Sequence, residues 1–324
     1  MTLHRPLSTI LAVLPLLLGP GAALAQPALK TPITIVLPLA PGDAADTALR
    51  TMSEDLSKQL QVPVTVSNRP GAGGSIGVQA VIAGKKDGSM LLFTQNGPLT
   101  VRRVLEPQAA NYDPARDLTP LGLSTRTPSV LVVRKEAPFN SFRDLVDAAR
   151  KAPGAVRIGN AGAGSAGDVS VQTINALTGS DITSVPYKGA APAVTDVLGG
   201  QVEGIIVALG AVSTHIKSGA LKAMAISSRF PELPGVPTLA ELGYKQDILG
   251  VWLAFFAPAG VPPEVVQALV PALERAARNP ATVAQLQALG ILQDWLPPQR
   301  LAAEIVREHD AVADIVRQNS SRKP

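Results

Sequence analysis

Hydrophobic residues fall along this chain in two alternating rhythms. Short continuous apolar runs fit strands buried on both faces, and apolar residues at every third or fourth position fit amphipathic helices. Residues 33–37 read as a strand, and 48–60 as a helix with Leu49, Met52, Leu56 and Leu60 along one side. A second strand is expected at 62–66. A glycine-rich loop at 68–77 then leads into a helix at 78–83, and the Asp87-Gly88 turn precedes a third strand at 90–94. The same grammar resumes after Tyr112-Asp113-Pro114, with strands at 129–134, 157–159, 182–187, 204–207 and 223–227. Helices at 141–151, 168–177, 191–198 and 215–219 separate them. Beyond the proline-rich turn at 231–237, residues 251–257 are again strand-like. Pro262-Pro263 start a helix, and Leu301, Ile305, Val312 and Val316 give the last helix an apolar stripe, with His309 on its apolar side. This alternation predicts an α/β chain of right-handed βαβ units with largely parallel sheets. Each half carries a glycine-rich loop at a strand's carboxyl end, where ligands of open α/β sheets bind, so two lobes facing a cleft are expected.

Composition supports a globular protein and narrows its chemistry. The chain has 324 residues, 46% of them hydrophobic, enough for two ordinary domains. Its 29 basic and 25 acidic residues give +4, and no Lys/Arg cluster marks a nucleic-acid surface. His4 and Arg5, an apolar run at 7–18 and Ala23-Leu24-Ala25 form a signal peptide over residues 1–25, cleaved after Ala25. That run is short for a membrane span and is interrupted by Pro15. An exported, periplasmic protein that is not membrane-embedded is expected. The absence of cysteine removes disulfides, thiol nucleophiles and thiolate metal sites. Beyond the leader only His215 and His309 remain, which disfavours imidazole chemistry and histidine metal sites.

Three loops carry the candidate chemistry. At Pro41 to Asp46 a strand delivers the chain into a helix N-terminus, where unpaired amides and the helix dipole suit an anion. Asp43 is an acid where an anion would sit. With Asp46 three residues on it resembles a capping box, so Asp43 either caps the helix or meets the ligand. The loop at 68–77 lacks a P-loop lysine, and its glycines fit a structural loop of close backbone approach better than a phosphate cradle. The segment Gly162 to Gly167 fits G-x-G-x-x-G between a strand and a helix, which makes a dinucleotide-dependent oxidoreductase the alternative reading. The acid that should end the next strand is missing, since Tyr187-Lys188 stand there. Gly162 to Ser165 can equally be a nest of amides and a hydroxyl that holds a carboxylate. Ser165 and Ser75 lack G-x-S-x-G contexts and a local base, so no catalytic residue is assigned and no enzyme or cofactor is expected.

Several stretches together resemble a known family. They include Leu37-Pro-Leu-Ala-Pro-Gly42 with Asp46 and Arg50, Asn68-Arg-Pro-Gly-Ala-Gly-Gly74, Asp87-Gly88, and Tyr112-Asp-Pro with Asp117. Gly162-Ala-Gly-Ser165, Val185-Pro-Tyr-Lys-Gly189, Asp196-Val-Leu-Gly-Gly-Gln-Val202, Pro234-Gly-Val-Pro-Thr238 and Ala257-Pro-Ala-Gly260 follow in order. The chain resembles the periplasmic solute-binding receptors of tripartite tricarboxylate transporters, the Bug proteins, over essentially everything beyond residue 33. The resemblance implies a two-lobed, type II-like Venus-flytrap periplasmic-binding-protein architecture with two hinge crossings. Residues 26–127 and 250–324 would form the first lobe and 128–249 the second. It also implies a monomer that captures a small metabolite, through backbone amides and waters, for the membrane subunits of a secondary transporter or for a sensor protein. By matching position, the ligand-binding residues are Ala40, Pro41, Gly42 and Asp46 in the first loop. Thr94, Gln95, Asn96 and Gly97 follow the third strand, and Ala161, Gly162, Ala163, Gly164 and Ser165 with Tyr187 and Lys188 come from the second lobe.

The departures from the family pattern bear on the ligand. Asp43 replaces a usual glycine, Ala44 and Ala45 stand where Ser or Thr is common, and Asn160 where Ser is common. Val207-Ala208 is apolar where an acidic or Asn residue is usual, Ser89-Met90 replaces Tyr-Thr, and His309 replaces Trp. If Asp43 faced the cleft it would repel a ligand carboxylate by roughly 1 kcal/mol or more at short range. An amine, amide or neutral heterocycle would then be favoured, or a monocarboxylate held by the second lobe.

Overall fold

The computed structural model describes residues 29, 31–42, 44–187, 189–288 and 290–320. The signal segment, Asp43 and Lys188 lie outside the described residues. Two sheets form two lobes. The first contains β1 (Ile33–Leu37), β2 (Val64–Asn68), β3 (Met90–Gln95), β4 (Leu118–Thr127), β10 (Val251–Pro258) and β11 (Leu292–Leu296), in the order β11-β4-β10-β3-β1-β2. The second contains β5 (Ser129–Arg134), β6 (Arg157–Asn160), β7 (Thr183–Pro186), β8 (Gly204–Ala208) and β9 (Leu221–Ile226), in the order β7-β6-β8-β5-β9.

The sheets are mixed, which corrects the expectation of largely parallel ones. β1 is parallel to β2 and β3, and β6 is parallel to β7 and β8, as βαβ units require. The strands joined to the crossings, β4, β5 and β10, run against their neighbours. The physical reason is the path of the chain. It leaves the first lobe along β4, turns at Pro128 straight into β5, and returns along β10, so the outgoing and returning strands pair antiparallel.

Each sheet is covered on both faces by helices. Ile35, Leu37, Leu49, Met52, Phe93, Phe255 and Leu273 fill one side of the first sheet, and Val36, Val78, Leu92, Leu123, Trp252 and Leu301 the other. In the second lobe Leu131, Leu145, Ile158, Ile174 and Ile206 face one side, and Val130, Val132, Val197, Ile205 and Val207 the other. Val207 is therefore a core residue and only Ala208, half-buried, reaches the strand's end. A smaller cluster of Val101, Val169 and Val312 joins the two lobes through the C-terminal helix Pro298–Ser320.

Several local differences from the sequence pattern matter for the site. The second strand lies two residues later than expected, which places Asn68 opposite Leu37 at the carboxyl ends. The helices Ala44–Leu60 and Ala166–Thr178 begin earlier than their apolar stripes do, because their first turns are built from small and polar residues. His309 is not packed in the core. Its ring is partly exposed beside Asp310, and Glu308 turns inward at that level of the helix instead.

Candidate functional site

In the first lobe, β1 ends and the chain turns through Pro38 to Gly42 before entering the helix Ala44–Leu60. Gly42 adopts φ +85°, a backbone conformation that favours glycine. Ala40, Pro41 and Gly42 are exposed, whereas Asp46 is 3% exposed. The Asp46 carboxylate accepts from Gly42 N at 3.0 Å, Arg50 Nε at 3.0 Å and Asn68 Nδ2 at 2.9 Å. Asn68 Nδ2 also donates to Leu39 O, and Asn68 Oδ1 accepts from Arg50. Burial raises the Asp46 carboxyl, but the hydrogen bonds from Arg50, Gly42 and Asn68 and the Arg50 charge outweigh it and hold the group at about 2. Its charge is spent inside the loop.

The glycine-rich loop supports this turn from below. Gly71, Ala72, Gly73 and Gly74 all have positive φ, and a Cβ on Gly77 would lie 2.8 Å from the Pro38 ring. Pro38, Leu39, Gly73, Gly74, Thr94 and Gln95 line one small recess, so the first loop, the glycine loop and the end of β3 meet. Thr94 is buried, and Gln95 and Gly97 are half-buried with open space beside Gly97. Asn96 turns away from that recess. Its amide donates to Gly250 O and to Glu308.

The second lobe repeats the device. β6 ends at Asn160, which is fully buried and donates to Ser184 Oγ at 2.8 Å. Asn160 Oδ1 accepts from Gly162 N at 3.0 Å and from Ser165 Oγ at 3.3 Å. Gly164 N donates to Asp168 Oδ2 at 2.9 Å, Ser165 Oγ caps the helix by accepting from Asp168 N, and Ser184 Oγ donates to Asp168 Oδ1 at 2.6 Å. Asp168 thus stands in its loop as Asp46 does in the first. Each takes an amide four residues earlier and a side chain from the adjacent parallel strand. The sequence carries a signal for this equivalence in the shared order Gly42-Asp-Ala-Ala-Asp46 and Gly164-Ser-Ala-Gly-Asp168.

The three glycines of the fingerprint have structural roles of their own. Gly162 and Gly164 adopt φ +143° and +71°, and a Cβ on Gly167 would lie 2.3 Å from Ile206 O, so only glycine lets the helix approach β8. Three of the loop's amides and its hydroxyl are occupied internally, since Ser165 N also donates to Gly162 O. The amides of Ala161 and Ala163, like that of Ala40 in the first loop, have no partner among the described residues. Ala161 and Ala163 are exposed. Tyr187 is half-buried, with its backbone bonded to Asn160 and its hydroxyl donating to Asp196 at 2.7 Å. Burial, that bond and the Asp196 charge push the phenol up to about 12, so it stays neutral. From the first lobe, Leu105 Cδ1 reaches within 3.5 Å of the Cβ position of Gly164. Among the described residues no helix is long and apolar enough to cross a membrane, and no three acidic or histidine side chains are grouped to hold a metal.

Residues 48–317 match the sequence model of TctC, the tripartite tricarboxylate transporter family receptor. The chain is 34% identical over 294 residues to the protein BugT of Bordetella pertussis, covering 90% of each. A crystal structure of a TctC solute-binding protein from Polaromonas, without ligand, superposes with a TM-score of 0.80 at 27% identity, over 89% of this chain and 99% of that one. The structure of MatC from Rhodopseudomonas palustris with bound malate superposes with a TM-score of 0.72 at 29% identity, again over 89% and 99%. The chain belongs to the tripartite tricarboxylate transporter receptor family, the periplasmic solute-binding receptors that serve the membrane subunits of such transporters.

Proposed function

We propose that this receptor captures one small organic acid in the cleft between its lobes and holds it through backbone donors rather than through a charged side chain. The observation that carries this reading is the pair of equivalent loops. In each the resident carboxylate, Asp46 or Asp168, is occupied by its own loop and the adjacent strand, while the amides of Ala40, Ala161 and Ala163 remain unpartnered among the described residues. Unspent amides in a loop that leads into a helix N-terminus favour an anion. MatC, a relative at 29% identity, holds malate. The lobes would divide at 127/128 and 249/250, and closure around the acid would stabilise the form presented to the transporter. The remaining parts of the reading are export with removal of residues 1–25 after Ala25, a monomeric receptor, and capture without chemical conversion. The last is supported by the commitment of the Ser165 hydroxyl to capping and of the Ser75 hydroxyl to Tyr112.

Asp43 occupies the sequence place that Ser165 holds in the second loop, where the side chain caps the helix. That equivalence favours the capping alternative for Asp43 and leaves the cleft open to an acid. The test is a thermal-shift screen of the mature chain against short mono- and dicarboxylates, malate included, beside matched amides, amines and NADH, followed by calorimetry. A ligand at a hundred times its Kd adds about 2.7 kcal/mol and raises the melting midpoint. Carboxylates that raise it support the proposal. A response confined to amines or neutral amides would put Asp43 against the ligand and overturn the ligand class, and a response to NADH alone would overturn the receptor reading.

A further inference from the structure

The C-terminal helix carries a carboxylate within its buried stripe. Glu308 is 8% exposed between Leu301 and Ile305 on one side and Val312 on the other. Its Oε1 accepts from Asn96 Nδ2 at 2.8 Å and Thr100 Oγ1 at 2.7 Å, and its Oε2 accepts from Trp252 Nε1 at 2.7 Å. Burial pushes the carboxyl above its ordinary range, against the bonds from Thr100, Trp252 and Asn96 and with help from the neighbouring Glu304 charge. Helix packing alone does not call for such a group, because an apolar residue of similar size usually serves a core as well or better. Its partners suggest what it is for.

Asn96 follows β3 directly, within the segment Thr94 to Gly97 that the receptor reading assigns to the cleft. The same Asn96 amide donates to Gly250 O at 2.9 Å, and Trp252 is the second residue of β10, just past the crossing. On the other side of that crossing, Leu249 N donates to Ser170 Oγ at 3.0 Å. Ser170 lies on the helix Ala166–Thr178, whose N-terminus is the second-lobe loop. One helical turn beyond Glu308, Val312 packs with Val101 of the first lobe and Val169 of the second. The peptide Leu249-Gly250 is therefore strung between both halves of the cleft. A cavity of about 430 Å³ lined by Thr127, Ser227, Leu249, Gly250, Trp252 and Glu308 lies beside it.

We propose that Glu308 is a positioning residue for the hinge, holding Asn96 and Trp252 on either side of Gly250 so that lobe rotation and the geometry of the cleft segment after β3 move together. A hinge concentrates its dihedral change in a few residues at element ends, and Leu249-Gly250 is such a place. Three donors aimed at two acceptor oxygens make the carboxylate hard to replace, because an amide must turn its own N–H toward at least one of them. This inference rests on the receptor reading only for its effect on affinity. The hinge itself can be tested without a ligand.

The chain has no cysteine, so Ile76→Cys and Leu198→Cys, one exposed position on each lobe, give a single pair of spin labels. The interlobe distance distribution of the labelled full chain is measured with and without Glu308→Gln, with Asp314→Asn, an exposed acid of the same helix, as the control. Glu308→Gln is expected to broaden the distribution toward longer distances and to shift Trp252 emission, while Asp314→Asn leaves both as they were. Loss of a buried bond network of this size should also cost about tenfold in affinity for whichever carboxylate the wild type binds, malate being tried first. If Glu308→Gln fails to fold, Ser170→Ala cuts the other end of the tie without touching the buried carboxylate and is expected to broaden the distribution alike. A folded Glu308→Gln, or failing that Ser170→Ala, with the wild-type distribution overturns the proposal. A changed distribution in a protein that binds no acid would leave the hinge proposal standing and remove the ligand class instead.

Discussion

Removing the charge of Asp46 should cost stability in a way that pH reveals. Asp46→Asn keeps the size and one acceptor but replaces the other oxygen with a donor, so one of the Gly42 or Asn68 N–H groups faces another N–H. The wild-type group moves from 3.8 to about 2 on folding, which at about 1.36 kcal/mol per unit corresponds to roughly 2.4 kcal/mol. Arg50 is half-exposed, so water screens the interaction and on the order of 1–2 kcal/mol is the better expectation. The folded value lies below the unfolded one, so this contribution is fully present above pH 3.8 and is lost as pH falls through about 2. Thermal unfolding near neutral pH should show Asp46→Asn melting about 2–6 °C below wild type. The gap should narrow progressively below about pH 4. Equal destabilisation at both ends of that range would mean that the loss is one of shape and not of charge. No destabilisation near neutral pH would refute the assignment of Asp46 as the charge-saturated anchor of the loop.

Other perturbations test neighbouring links. Asp168→Asn should loosen the second loop and weaken acid binding by about tenfold in calorimetry, with little change in the first lobe's hydrogen-exchange protection. Gly167→Ala drives a methyl toward Ile206 O and should lower stability by about 1–3 kcal/mol in denaturant melts; an unchanged midpoint would contradict the close helix–strand approach. Asn160→Ser shortens a side chain that bridges Ser184 and the Gly162 amide, so exchange at Gly162 should quicken while β8 stays protected. Asp43→Ser copies the second loop and removes one negative charge. Calorimetry should show acid affinity kept or raised and the midpoint within about 1 kcal/mol of wild type, whereas a switch of ligand class would argue for direct contact.

Much of the fold was legible because both lobes are built from βαβ units whose strands are buried runs and whose helices are striped. β1 and β5 fall where the apolar runs fall. β4 was not visible as a strand. Leu118 to Thr127 contains Pro120 and Gly122, breaks register twice against β10, and lays Gly122 beneath the Trp295 ring, so no alternation survives. β11 has a partner in the sheet only at β4 and mixes Gln293 and Asp294 with its apolar residues. The mixed sheets follow from the two crossings, a tertiary property that no local pattern encodes.

The loops were readable as places but not as circuits. Gly42 and the Gly162 to Ser165 turn stand out by composition, yet which amides are spent depends on Asn68 and Ser184, which arrive from neighbouring strands. Glu308 left a faint trace. The stripe of the last helix passes from Ile305 to Val312 with no apolar residue between on that face, and the inward place is taken by an acid two of whose partners, Asn96 and Thr100, lie some two hundred residues earlier in the chain.

The most direct measurement is an amide NMR titration of the protein labelled with 15N-alanine, adding malate and then related short carboxylates. The amides of Ala40, Ala161 and Ala163 are expected to shift together with one dissociation constant, while Ala254 and Ala276 in the first-lobe core stay in place. An acid that binds without moving those three amides, or a cleft that answers only to uncharged or cationic ligands, would contradict capture of a carboxylate by paired backbone loops.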